Sequence, residues 1–223
     1  MSRVDPPRLG PDAAPWVHLP GHVAHDELER LSAGVARCMG LFRTTGGRSS
    51  LGPRYGVIPA NVIARQLPEV TRFGHDVVQP LLERVCGERV RPLRSERRAV
   101  RVQCYEGRDA GFRWHRDGHT YVALVTLEND NRGETQILSR AWSRRLKYAL
   151  YAAYPLPGLF SLLPRQSVTM APGDVLLMRG REVIHRGVTL SPDGKRVLLA
   201  YCFDEWWREP RLISELVASV INY

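Results

Sequence analysis

Lysine is nearly absent. Lys147 and Lys195 are the only two among 32 basic residues, and the other 30 are arginine. The net charge of +9 would by itself permit a polyanionic partner such as nucleic acid. An arginine bias of this size reflects coding composition as readily as a binding surface. The densest cluster, Arg89, Arg91, Arg94, Arg97, Arg98 and Arg101, therefore reads as a solvated loop and strand face, and nucleic acid is set aside as a partner. Cysteine is scarce as well. Cys38, Cys86, Cys104 and Cys202 form no CxxC pair, so neither a zinc knuckle nor a dithiol redox site is indicated. Cys104 and Cys202 lie in apolar, strand-like runs and read as reduced core residues, in keeping with a cytoplasmic location. No apolar run reaches the roughly 20 residues needed to span a membrane. No signal-peptide pattern opens the chain, and residues 1–20 read as a loose arm. There is no internal repeat.

What is present is enough chain for one domain over 21–223, with helical support over 21–90. Leu28, Leu31, Val35 and Cys38 fall on one helical face between His25 and Met39. Val70, Phe73, Val77, Leu81 and Val85 do the same between Pro68 and Cys86, where Gly87 suits the helix end and Pro80 should kink or divide the helix. From about 97 to 204 the period changes. Ala99–Tyr105, Thr120–Leu127, Val175–Met178 and Val197–Phe203 are short, β-branched or apolar runs bounded by turn residues. Phe112–His115, Thr135–Leu138, Ser167–Met170 and Glu182–Arg186 are weaker strand signals. Eight short strands with flanking helices predict an α+β, mostly β chain around a double-stranded β-helix, the jelly-roll or cupin-type core. The stretch 139–165 reads as an insertion forming a lid, with Trp142 and Tyr148 lining a substrate pocket, or else as a helix packed outside the sheet. A last helix is expected over 210–222, sealed to the core by Trp206 and Trp207.

The chemistry concentrates in Trp114-His115-Arg116-Asp117-Gly118-His119. In extended chain, residues i and i+2 point to the same side, so His115 and Asp117 can reach one metal together. His185, in Ile184-His185-Arg186-Gly187, supplies a third ligand from a later strand. Two imidazoles and a carboxylate on one face of an ion leave the opposite positions open, which is the facial triad of non-haem Fe(II) oxygenases. Arg196 follows His185 by eleven residues, past the turn Ser191-Pro192-Asp193-Gly194, and would point into the same cavity. A guanidinium pairs with a carboxylate through two parallel hydrogen bonds, so a cosubstrate acid such as 2-oxoglutarate is implied. His119, just past the ligand pair, is a further residue that could touch the substrate.

Taken in order, Tyr105, His115-x-Asp117, Gly133-Glu134-Thr135, Pro172-Gly173-Asp174, His185 and Arg196 resemble the Fe(II)/2-oxoglutarate-dependent dioxygenases, in particular the prolyl-4-hydroxylase-like branch. The resemblance covers about half the chain, from 100 to 203. It implies a jelly-roll core, Fe(II), and 2-oxoglutarate and O2 as cosubstrates, with hydroxylation as the commonest outcome and desaturation or ring formation as variants. In that resemblance Tyr105 corresponds to a tyrosine that hydrogen-bonds the cosubstrate, and Thr126 to a hydroxyl residue near its remote carboxylate. A strand tyrosine is also commonly a plain core residue. Asp117, where the related halogenases carry a small residue, argues for oxygenation. A small-molecule substrate, amino-acid-like or a natural-product intermediate, is the leading expectation. Against a nucleic-acid dealkylase stand Cys202 and Gln103, where those enzymes resemble a pattern with arginine and asparagine. The same residues would also serve a protein or peptide hydroxylase, or a non-catalytic cupin-like binding protein.

Overall fold

The computed structural model describes residues 8–10, 12–45, 55–95, 97–107, 110–112, 114–130, 133–146, 160, 162–188 and 191–207. In chain order the elements are β1 (Trp16–Leu19), α1 (His25–Arg37), β2 (Arg43–Thr45), β3 (Tyr55–Pro59), α2 (Ala60–Gln66), α3 (Pro68–Phe73), α4 (Gln79–Cys86) and β4 (Val90–Pro92). They are followed by β5 (Val100–Glu106), β6 (Tyr121–Asn129), β7 (Glu134–Leu138), α5 (Arg140–Arg145), β8 (Arg165–Thr169), β9 (Val175–Met178), β10 (His185–Val188) and β11 (Lys195–Glu205). The major sheet runs β1-β9-β6-β11-β5-β3-β2, with β4 also on β11, and the minor sheet runs β10-β7-β8. The pairings between these strands are all antiparallel. This is the expected jelly-roll, with helices over one face of the major sheet.

The alternation of a strand decides which residues serve which layer. On β11, Val197, Leu199, Tyr201 and Phe203 pack with helix residues such as Leu31, Val70, Phe73 and Leu82. Leu198, Ala200 and Cys202 turn the other way, toward Ile137 and Val168 of the minor sheet. A strand covered on both faces reads as a continuous apolar run, which is why Val197–Phe203 stands out in the sequence.

Several boundaries move. The weak signal at Glu182–Arg186 becomes β10, which starts only at His185, because Glu182 and Val183 are bonded back to Arg179 in a turn. Phe112–His115 is no full strand, although its flanks bridge to β10 at Gly111–Val188 and His115–His185. The loose arm expected over 1–20 is ordered in its later part. Leu9 is buried in the helical core, and β1 closes the edge of the major sheet on β9. Asp174 fastens that edge, accepting from the backbone N–H groups of Gly21 and Ala171 and lying 2.8 Å from His18 Nε2. Trp206 and Trp207 are exposed rather than sealed into the core, with the Arg89 guanidinium 4.6 Å from the Trp206 ring centre. The expected helix over 210–222 lies outside the described residues. All four cysteines are free, with Cys104 and Cys202 buried as expected. Among the described residues, no helix is long and apolar enough to cross a membrane.

Between α3 and α4 the chain makes a π-helical turn, Gly74–Val78, just ahead of Pro80. Proline cannot donate to the preceding turn, and the wider turn absorbs that loss without ending the helical run. Gly87 then closes α4 in the left-handed conformation at φ 74°. Gly74 lies flat on the Tyr201 ring, so that a Cβ there would sit 2.5 Å from Tyr201 Cε1. The Tyr201 hydroxyl donates to Val70 O at 2.8 Å. Helix propensity alone would make Gly74→Ala stabilising, but the overlap dominates. We expect this variant to lose roughly 1–3 kcal/mol in urea unfolding, and an unchanged or raised midpoint would show that the contact is loose.

Candidate active site

His115 and His185 face each other across a hydrogen-bonded antiparallel pair. His115 N donates to His185 O at 3.0 Å and His185 N to His115 O at 2.9 Å. Side chains opposite one another in such a pair project to the same face, and the two rings lie 4.2 Å apart between centres. Asp117 joins them because its own N–H donates to Gly180 O at 3.0 Å, turning the chain back toward the rings. Its Oδ1 is 3.4 Å from His115 Nε2 and its Oδ2 is 3.6 Å from His185 Nε2. One ligand atom from each of the three residues lies within 4.8 Å of the others.

Protonation favours metal binding. Burial, reinforced by His115, pushes the His185 pKa down to about 4, so its imidazole is neutral at physiological pH. His185 Nδ1 lies 3.3 Å from Val183 O, which can only accept, so the proton sits on Nδ1 and the Nε2 lone pair faces Asp117. Burial would raise Asp117, but the imidazoles of His119, His185 and His115 outweigh it and hold the carboxyl well below its ordinary range. Asp117 Oδ2 is buried without a hydrogen-bond partner. A neutral His185 imidazole, a second imidazole from His115 and an ionised carboxylate with an oxygen to spare fit a divalent cation of borderline softness such as Fe(II).

Arg196 leaves the same face of β11 opposite Tyr105 on β5. It is fully buried, and burial lowers its pKa only to about 10, so it remains a cation. Nη1 donates to Glu134 O and Nη2 to Thr135 Oγ1, both at 2.8 Å, while Nε has no partner. Among the described residues it forms no ion pair. Gly133 makes room for its stem, since a Cβ there would lie 3.0 Å from Arg196 Cδ. Beyond the guanidinium lies Gly187, where a Cβ would stand 3.6 Å from both Arg196 Nη1 and the Tyr105 hydroxyl. Tyr105 donates to Gln103 Oε1 at 3.0 Å. Thr126, opposite Leu198, is fully buried with Oγ1 unpartnered. A buried cation with no counter-ion among the described residues, beside an unused hydroxyl, fits the remote carboxylate of a dicarboxylate cosubstrate.

The remaining sequence expectations divide. His119 is buried with Nε2 3.6 Å from Asp117 Oδ2, so it stands beside the metal ligand. Trp142 does not reach the cavity. It packs with Trp114, Leu138, Phe160 and Ile184, on the opposite side of the minor sheet from His185 and Ile137. α5 is fixed there by Ser143, whose Oγ accepts from Ile184 N at 3.0 Å. The described start of the insertion is thus a helix on the outside of the sheet, not a lid. Tyr148 lies outside the described residues. Sequence reasoning missed Phe112, whose ring is 4.2 Å from His115, and Tyr55, 5.0 Å from Phe112 and stacked on Tyr105. It also missed Gly180, whose missing side chain leaves the space that Asp117 fills. Nothing in local spacing marks that glycine, because the contact crosses 63 residues of chain.

The fold is that of the non-haem, 2-oxoglutarate-dependent enzymes. It is similar to the non-haem α-ketoglutarate-dependent epimerase SnoN from nogalamycin biosynthesis, with 19% identity over 86% of this chain and 76% of that one, at a TM-score of 0.66. It is similar also to HygX from Streptomyces hygroscopicus with nickel, 2-oxoglutarate and hygromycin B bound, with 18% identity over 86% and 84% of the chains and a TM-score of 0.65. A Pseudomonas putida prolyl-4-hydroxylase shares 12% identity over 84% and 92%, with a TM-score of 0.53. No protein-family model and no curated protein sequence matches this chain.

Replacing Gly180 with alanine would drive a methyl group into Asp117 Oδ2. Metal affinity should fall roughly 10–100-fold, as for other residues that orient a ligand. Competition against a chelating dye measures this, and a Gly180→Ala variant that binds Fe(II) as wild type would show that Asp117 does not need this position.

Proposed function

We propose that this protein is a non-haem Fe(II)- and 2-oxoglutarate-dependent dioxygenase that oxidises a small molecule, with hydroxylation as the default outcome. One observation carries the reading: the His115–Asp117–His185 cluster and the unpaired cation of Arg196 open on the same inner face of the jelly-roll. When bound, Fe(II) supplies the redox chemistry by which O2 converts 2-oxoglutarate to succinate and CO2 while the main substrate is oxidised.

The chain's own residues do the holding. His115, Asp117 and His185 would hold the metal, each through one ligand atom. Arg196 fixes the remote carboxylate of 2-oxoglutarate, with Thr126 and Tyr105 offering hydroxyls beside it. His119 steadies Asp117 from behind, and Phe112 covers His115. A small molecule is favoured over a peptide because the likeness is greater to SnoN and HygX, TM-scores 0.66 and 0.65, than to the Pseudomonas putida prolyl-4-hydroxylase, 0.53. A nucleic-acid dealkylase is disfavoured at Cys202, which is fully buried against Arg101.

The test is anaerobic titration with Fe(II) and 2-oxoglutarate, following the visible charge-transfer band of the chelate. The band should form in wild type and be absent in His185→Ala. Its absence from wild type with iron bound would sink the 2-oxoglutarate reading and leave a cupin-like binding protein. Arg196→Lys keeps the charge but loses the planar fork. It should weaken 2-oxoglutarate roughly 10–100-fold, equivalent to one or two charge-assisted hydrogen bonds, with Fe(II) affinity unchanged.

A further inference from the structure

The inner face of β5 carries a second cation. Arg101, Gln103 and Tyr105 share that face, and their partners on β11 are Ala200, Leu198 and Arg196. Leu198, Ala200 and Cys202 line the space between the sheets, and Arg101 reaches into the same space, with Nη2 3.7 Å from Cys202 Sγ. The Asp117 carboxylate, one of the candidate metal ligands, is near enough to act on its guanidinium. A thiol is a poor acceptor for a guanidinium. Arg101 Nε is buried with no hydrogen-bond partner, and among the described residues Arg101 forms no ion pair. In the sequence this arginine reads as one of a solvated cluster with Arg97 and Arg98. Its position two residues before Gln103 and four before Tyr105 on one strand face corrects that.

The cavity therefore offers two seats for an anion. Tyr105 and Arg101 are four residues apart, roughly 13 Å along the strand. 2-Oxoglutarate held at Arg196 and chelated at the metal leaves Arg101 unused. Arg101 is half-buried, and its covered Nε lacks an acceptor, a cost that a ligand oxygen would remove.

We infer that Arg101 binds a carboxylate of the main substrate, so that the substrate is a carboxylic acid held at the opposite end of the cavity from Arg196. The inference rests on the 2-oxoglutarate reading above for what fills the Arg196 end. The Nε edge of a guanidinium pairs with a planar carboxylate through two parallel hydrogen bonds, and Nε is the atom left without a partner. One guanidinium balances one negative charge. A phosphate monoester would bring a second charge close to Asp117, with no further cation on the described inner face of β5 to meet it.

The test uses wild type, Arg101→Gln and Arg101→Lys, each loaded anaerobically with Fe(II) and 2-oxoglutarate. The probes are benzoate, a set of N-acetylated amino acids, the amides of both, and phenyl phosphate, with binding read by calorimetry. At least one carboxylate should bind wild type, its amide should bind at least tenfold more weakly, and both variants should lose that carboxylate by a similar factor. The affinity for 2-oxoglutarate should stay within about twofold in both variants, which also shows that they fold. Equal binding of acid and amide, no carboxylate bound by wild type, or undiminished binding by Arg101→Gln would overturn the proposal. Tighter binding of phenyl phosphate than of every carboxylate would overturn the choice of anion. If Arg101→Gln lost 2-oxoglutarate instead, Arg101 would be the cosubstrate anchor and this proposal would fail. If wild type bound no 2-oxoglutarate at all, the failure would lie with the reading of the Arg196 end.

Discussion

Two main-chain hydrogen bonds between His115 and His185 organise the site. They tie the segment that follows β5 to the edge of the minor sheet and bring two imidazoles face to face through backbone geometry alone. A slip of one residue in that pairing would turn one ring to the outer face, among Trp114, Leu138 and Ile184, where no carboxylate waits. The neighbouring side chains guard the register. Trp114 and Ile184 are large, apolar and buried on the outside, while the rings and Asp117 lie inside. Positioning of the ligands is thus a by-product of ordinary strand alternation.

This explains what could be read in the chain and what could not. The alternation of β11 and β6, the glycine ending α4 and the His-x-Asp spacing are local patterns, and each survives folding unchanged. Arg196 was legible because a turn and a strand bring it back beside the cavity. Arg101 was misread because a cluster of arginines looks solvated until the face of β5 is known, and that face is set by partners about a hundred residues away. Gly180 is silent in the sequence because its value lies in the space it leaves for Asp117. Trp142 was misjudged because an aromatic helix next to a site has two sides of a thin sheet to choose from, and Ser143 bonded to Ile184 N fixes it on the outer one.

The cavity is polarised along its length. Arg196 sits at one end with two backbone or hydroxyl acceptors and one idle N–H, and Arg101 at the other with a thiol and an idle N–H. Between them, Asp117 is the anion among three imidazoles. Cations at the ends and a ligand carboxylate in the middle favour acids that approach from either side, provided each reaches its own arginine.

β11 pairs with β4, β5 and β6, and its successive side chains alternate between the helix layer and the cavity. No residue along its middle is free of both duties. A change in cavity shape made on this strand would disturb packing one position away, whereas β3, beside β5 and nearer the edge of the sheet, bears fewer such obligations. Diversification of the cavity on this scaffold is therefore steered away from its central strand and toward its margins: the strand that carries Arg196 is also the part least free to vary.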